Sequence, residues 1–344
     1  ARESGKKVAI IGGGPGGLAA AYFLRRMGHG CTILESYSSL GGMMRFGIPG
    51  YRTPKDVLDG EIKRIVDMGV EVRLNTRVGV DVTVAELEKT HDAVFWAIGA
   101  QAGKPVEIPG ADAPNCVDGI SFLRAFNEGR LQHLSGRVLV IGAGDTAMDV
   151  AAVARRIGNI HNIHPQDRPE NVILGHTAHD VATAARRQGA EVWIVYRRPI
   201  SQAPATKHEL ESVIAEGVQI REGLVPSEVL HDAEGRARAL KVCPVDWIEG
   251  KMKPRTGEEF EIECALVVGA TGQAADFTGF EDLDNGRGLM NADRNYCLTG
   301  RKGHFVGGDV IKPHLLTTAI GHARIAAEGI DRYLAGDELP KRPK

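Results

Sequence analysis

Hydrophobic residues fall in short β-branched runs that alternate with glycine clusters and with Ala/Leu-rich stretches at helical spacing. The first run, Lys7–Ile11, ends in Gly12-Gly13-Gly14-Pro15-Gly16-Gly17 and leads into a predicted helix reaching Met27. A second strand-like run over residues 31–35 completes a strand–helix–strand unit. Residues 56–68 carry the spacing of an amphipathic helix, and residues 70–74 and 93–98 read as strands, the latter ending at Gly99. Pro105, Pro109 and Pro114 mark residues 104–114 as a connection between domains.

The pattern then starts again. The run Arg137–Ile141 passes through Gly142-Ala143-Gly144-Asp145-Thr146-Ala147 into a helix ending near Arg156. Polar residues with Pro165 and Pro169 interrupt it over 157–172, before a helix over 179–188 and a strand, Glu191–Tyr196. Residues 266–272 close this region, residues 304–309 bring a further apolar run ending in Gly307-Gly308-Asp309, and a last helix spans 315–334. Residues 149–156 and 180–187 echo one another, which reads as two helices with similar faces separated by an insertion.

Length and composition refine the picture. The 344 residues suggest two domains, and 43% hydrophobic with 25% charged residues is the balance of a globular protein with a core. A net charge of −2 gives no reason to expect nucleic acid or an anionic membrane as partner. Cys31, Cys116, Cys243, Cys264 and Cys297 form no C-x-x-C pair and no iron–sulfur spacing, so inert thiols in a reducing, cytoplasmic compartment are expected. No signal peptide or bilayer-length apolar run is read. The chain starts at Ala1, as a processed, renumbered or excised chain would.

Candidate chemistry centres on the two glycine turns. In Gly12-x-Gly14-x-x-Gly17, Gly12 allows the tight turn, Gly14 lets backbone approach a diphosphate, and Gly17 brings helix against strand. Pro15 and Gly16 complete the turn, the diphosphate meets the helix N-terminus, and Glu35 is placed to accept from both adenosine ribose hydroxyls. Gly142, Gly144 and Ala147 repeat the design, with Asp145 and Thr146 between them. Where an NAD site carries a carboxylate, this strand ends in Tyr196-Arg197-Arg198, which suits a 2′-phosphate, so NADP and NAD both stay open. His161-x-x-His164 and His176-x-x-His179 lie in the interruption at 157–189. They read as a polar surface, a partner-docking face, a flap over the nucleotide or a transition-metal site; no metal ligand is assigned.

Several stretches together point to one family: Gly12-Gly13-Gly14-Pro15-Gly16-Gly17-Leu18-Ala19-Ala20-Ala21, Leu40-Gly41-Gly42-Met43-Met44-Arg45-Phe46-Gly47-Ile48-Pro49, Pro54-Lys55-Asp56-Val57-Leu58, Gly144-Asp145-Thr146-Ala147-Met148-Asp149, Val195-Tyr196-Arg197-Arg198, Ala270-Thr271-Gly272-Gln273 and Gly308-Asp309. Through them the chain resembles the small subunit of glutamate synthase and its relatives, flavin modules of the glutathione-reductase-like class that feed or drain iron–sulfur partners. The resemblance implies that Gly41, Gly42, Met43 and Arg45 line the FAD pyrophosphate and flavin, with Gly47 and Ile48 beside them. It also implies that Asp309, after Gly308, holds the ribityl or diphosphate end, and that the helix opening at Leu316 and Thr317 aims its amides at the flavin. Gly99 and Gly272, each following a strand run, complete the candidate set.

The expected fold class is α/β, with two Rossmann-like, doubly wound dinucleotide-binding domains and the NAD(P) domain inserted in the FAD domain. The expected boundaries are 1–112 and 299–344 for FAD and 113–298 for NAD(P), with 157–189 an insertion atypical of the family. The expected function is hydride exchange between NAD(P)(H) and FAD, with electrons relayed to or from an iron–sulfur partner subunit on a separate polypeptide or a removed segment. Relatives serve glutamate synthases, ferredoxin–NAD(P) reductases and aldehyde oxidoreductases, and no single catalytic side chain is nominated. The alternative is a non-catalytic FAD-bearing assembly subunit whose nicotinamide site is blocked.

Overall fold

The computed structural model of the chain describes residues 2–159, 173 and 189–342. In chain order the first elements are β1 (Lys7–Ile11), α1 (Pro15–Met27), β2 (Gly30–Leu34), α2 (Met43–Phe46), α3 (Lys55–Val66), β3 (Glu71–Arg73), α4 (Val84–Thr90) and β4 (Ala93–Trp96). There follow β5 (Cys116–Asp118), α5 (Gly119–Asn127), β6 (Arg137–Ile141), α6 (Asp145–Arg156), β7 (Glu191–Tyr196), α7 (Lys207–Ala215) and β8 (Gln219–Glu222). The remainder are β9 (Leu224–His231), β10 (Ala237–Ile248), β11 (Lys251–Pro254), β12 (Phe260–Glu263), β13 (Leu266–Gly269), β14 (His304–Val306) and α8 (Leu316–Ala335).

The chain divides into two compact units. One takes Ala1–Phe46, Gly50–Ala102 and Gln273–Lys344, and the other takes Gly47–Pro49 and Gly103–Gly272, so the second interrupts the first in sequence. The first unit holds a five-stranded parallel sheet in the order β14-β4-β1-β2-β3. Its strands are nearly all apolar because both faces are covered, as parallel sheets require. Val8 and Ile10 pack on one face with Leu18 and Leu24 of α1 and Ala323 and Ala327 of α8. Ala9 and Ile11, pointing the other way, pack with Leu87, Trp96, Phe277 and Phe280.

The second unit repeats this plan with a parallel sheet in the order β8-β7-β6-β13-β5. By order, β6 corresponds to β1, β7 to β2, β8 to β3 and β13 to β4. An antiparallel group is added: β10 pairs with β9, β11 and β12. Residues 251–263 supply two strands, β11 and β12, to that group.

The unit boundaries fall earlier than the expected 112/113 and 298/299, for packing reasons. Phe277, Phe280 and Met290 are core residues of the first unit, and the Phe280 ring lies 4.9 Å from that of Trp96. In the other direction, Val106, Ile108 and Ala111 pack on the second unit's core, and Val229 N donates to Pro109 O at 2.8 Å. Among the described residues no helix is long and apolar enough to cross a membrane.

Helix starts separate into two kinds. Thr83 and Thr206 close capping boxes on α4 and α7, and Asp118 accepts from Ile120 N and Ser121 N at the start of α5. By contrast α1, α3, α6 and α8 begin at Gly14, Pro54, Gly144 and Leu315 with no side-chain cap.

Candidate functional site

Three of the first crevice's glycines are fixed by close approach. Gly12 sits at φ +101°, its amide donates to Leu34 O at 2.8 Å, and a Cβ there would lie 2.4 Å from Ala97 O. A Cβ on Gly17 would lie 1.9 Å from Gly12 O, so only glycine lets α1 settle this close to the turn. The loop after β2 completes the floor: Gly41 N donates to Gly13 O at 2.9 Å, and a Cβ on Gly42 would come within 2.8 Å of Gly14 Cα. This floor is bare backbone facing an uncapped helix that opens with Pro15, a residue with no N–H to satisfy. Such a surface fits a diphosphate, whose charge meets unpaired amides and the helix dipole. Glu35, only 2% exposed, accepts from Gly13 N at 2.7 Å through Oε2 and from Tyr37 N at 2.9 Å and Ser36 Oγ at 3.2 Å through Oε1. A carboxylate accepts about four hydrogen bonds in all, which leaves capacity for a sugar hydroxyl.

The other candidates expected here separate. A Cβ on Gly16 would lie 3.9 Å from both Gly307 O and Ala319 O, so the start of α8 reaches the start of α1 and brings Gly308, Leu316 and Thr317 to this end of the sheet. Asp309 accepts from His314 N at 3.2 Å, and burial pushes its carboxyl pKa up. Gly99, at φ +67°, follows β4 on the same side, and Met43 opens α2 half-buried. Arg45 points elsewhere: Nε donates to Leu40 O and the guanidinium pairs with Asp59, tying the loop to α3. Beside it, Lys55 Nζ donates to Met44 O at 2.9 Å, and burial with the Arg45 charge lowers its pKa to about 8. Gly47 and Ile48 group with the second unit, where Asn127 Nδ2 donates to Gly47 O at 3.3 Å.

Two histidines near Asp309 were passed over in the sequence. His314 Nδ1 meets Thr318 Oγ1 at 2.9 Å, and His322 Nδ1 accepts from Gly308 N at 3.3 Å while its ring lies 4.5 Å from that of Tyr296. Burial lowers the His322 pKa. Their signal was present, since His314, Thr318 and His322 recur every four residues, the spacing of one helix face.

The second crevice uses the same backbone. Gly142, at φ +129°, donates to Val195 O at 3.1 Å, and a Cβ there would lie 2.4 Å from Ala270 O. Gly144 starts α6 in extended conformation; Asp145 is exposed, Thr146 half-buried and Ala147 fully buried. Because Ile141 pairs with Val195 as Ile11 pairs with Leu34, the position equivalent to Glu35 belongs to Tyr196. The sequence reading gave that place to the arginines; the register puts Arg197 and Arg198 one and two residues beyond it. The Tyr196 hydroxyl donates to Gln202 O at 3.1 Å, and Ala205 N donates to Ala143 O at 3.2 Å, so residues 197–205 fold back along the turn. Arg197 is exposed, and the Arg198 guanidinium lies 4.7 Å over the Trp247 ring. Gly272 O accepts from Lys104 N at 3.0 Å, two residues past Ala270. His161, His164, His176 and His179 lie outside the described residues.

A family model described as pyridine nucleotide-disulphide oxidoreductase matches residues 6–324. The chain belongs to that family. As a member of the pyridine nucleotide-disulphide oxidoreductases it is an oxidoreductase that binds FAD and NAD(P). It is 37% identical to the NADP(+)-dependent formate dehydrogenase subunit beta of Moorella thermoacetica over 96% of its own length, but spans only 44% of that relative. It is 31% identical to the glutamate synthase [NADPH] small chain of Mycobacterium tuberculosis, covering 99% of this chain and 69% of that one. Among solved structures, FprA from Mycobacterium tuberculosis superposes with a TM-score of 0.79 at 20% identity, over 96% of this chain and 85% of that one, a likeness of fold.

The family is named for disulphide chemistry, yet all five cysteines here are free. Burial pushes the thiols of Cys31 and Cys264 up to about 12 and those of Cys116 and Cys297 up to about 11. Thiols of such pKa are poor nucleophiles at neutral pH.

Proposed function

We propose that this chain is the flavin module through which a larger oxidoreductase exchanges electrons with NADPH. The observation that carries this reading is one strand order and one uncapped glycine turn built twice, with a buried carboxylate beside the first turn and guanidinium groups just past the second. In this reading Gly12, Gly14, Pro15, Gly16, Gly17, Gly41 and Gly42 form the floor for the FAD diphosphate, Glu35 accepts from the ribose, and Met43, Gly99, Gly308 and Asp309 line the rest. The first amides of α8, at Leu316 and Thr317, supply partial positive charge where a reduced flavin carries negative charge. Gly142, Gly144, Asp145, Thr146, Ala147 and Gly272 surround the nicotinamide dinucleotide, with Arg197 and Arg198 for its 2′-phosphate.

FAD, held by these residues, would supply two-electron exchange with a nicotinamide and one-electron exchange with a partner. The protein's part is to hold and orient both nucleotides, so no acid or base is required of a side chain. The relatives support a place in a complex, since one is named a subunit beta and another a small chain, and both names carry NADP(+) or NADPH. An iron–sulfur partner subunit is the proposed recipient or donor of the electrons. Anaerobic mixing of the FAD-loaded protein with each nicotinamide tests the reading. Bleaching of the flavin absorbance by NADPH, at lower concentration than by NADH, is expected. No bleaching with either contradicts it and favours an assembly subunit.

A further inference from the structure

The end of β7 is gripped by a residue distant in sequence. The Trp247 indole N–H, on β10, donates to Arg197 O at 2.9 Å, and the same indole ring carries the Arg198 guanidinium 4.7 Å above its centre. One side chain thus fixes the main chain at the first arginine and the side chain of the second. Trp247 is half-buried and is held in register by pairing of β10 with β11, opposite Met252. The acid next to it does not compete for the arginines: Asp246 is engaged by Arg255, at 2.7 and 3.0 Å. Glu222, at the end of β8, accepts from Ile200 N. The surroundings therefore leave the two arginines at the crevice edge, with Arg198 ordered by stacking.

We infer that Trp247 is the positioning residue that gives the second crevice its preference for a 2′-phosphorylated nucleotide, by holding Arg197 and Arg198 at the end of β7. The inference rests on the NADP reading above and adds to it a residue from the antiparallel strands, outside the dinucleotide fold itself. A guanidinium on a flexible stem loses rotamer freedom when it binds phosphate; one already stacked on an indole has lost part of it beforehand. A cation over an aromatic face contributes about 0.5–1 kcal/mol when exposed, which is roughly a two- to fivefold effect, and more when desolvated.

Calorimetry on the FAD-loaded chain tests this with adenosine 2′,5′-bisphosphate and adenosine 5′-monophosphate, which probe the adenosine end without any redox step. The wild-type chain is expected to bind the bisphosphate at least about tenfold more tightly. Trp247→Leu is expected to cut that ratio about two- to fivefold, leaving the monophosphate affinity within twofold. Arg198→Lys, which keeps the charge but loses the plane, is expected to cut it equally, and the double variant no further. A wild-type chain with no preference overturns the NADP reading itself. A preference that survives Trp247→Leu, or a loss that strikes both ligands equally, overturns the role of Trp247 alone. Should Trp247→Leu not fold, retention of the preference by Arg198→Lys overturns it instead.

Discussion

In the first unit Gly12 N donates to Leu34 O and in the second Gly142 N donates to Val195 O, at 2.8 and 3.1 Å, and each glycine's missing Cβ makes room for a carbonyl, Ala97 O or Ala270 O. The backbone of the two crevices is thus one design. They differ in what surrounds it. Beside the first, Glu35 ties down Gly13 N, and Gly42 presses on Gly14; beside the second, Tyr196 stands in Glu35's place, and a Cβ on Gly144 would meet nothing within 4 Å among the described residues. In the proposed function the shared backbone holds a diphosphate, and the residues after the second strand of each unit select the nucleotide.

The two turns differ most at the contact between helix and turn. Gly17→Ala puts a methyl on top of Gly12 O, with an expected cost of about 3 kcal/mol or more by overpacking. The equivalent Ala147→Gly loses only a buried methyl and helix propensity, about 1–2 kcal/mol. Denaturation midpoints of the two variants check this; equal losses would mean that the two turns are not packed differently.

A smaller effect sharpens the role of the residue after the second strand. Glu35→Ala strands the amides of Gly13 and Tyr37 and removes the ribose acceptor, with an expected FAD affinity loss of roughly a hundredfold. Tyr196→Phe removes one hydrogen bond, to Gln202 O, with an expected loss in NADPH affinity of about threefold or less. Flavin retained on desalting and NADPH titration read the two separately. An effect of Tyr196→Phe as large as that of Glu35→Ala would mean that the two positions play the same part.

Much of this architecture was legible. Residues 7–11, 137–141 and 191–196 are apolar runs bounded by Gly, Pro or charge, and the structure has a strand at each. The pairing of β9 with β10 was not. Pro226 and Pro244 sit inside β9 and β10, where proline argues against a strand, and the ladder shifts register at Pro226/Glu228. The equivalence of Tyr196 and Glu35 was hidden because sheet register, not spacing, defines it, and residues 157–189 separate α6 from β7. Arg45 was placed beside the flavin by the resemblance alone; its partner Asp59 lies on the next helix, which no local pattern reveals. Trp247 was invisible for the same reason, being fifty residues from the carbonyl it holds.

In the proposed function the chain carries two dinucleotides at once, one in each unit. Native mass measurement of the isolated chain with FAD and then NADP(+) tests it directly. The expected result is one FAD per chain, followed by one NADP(+) added with the FAD still in place. A chain that takes up no FAD, or that releases FAD one-for-one as NADP(+) binds, would contradict the account.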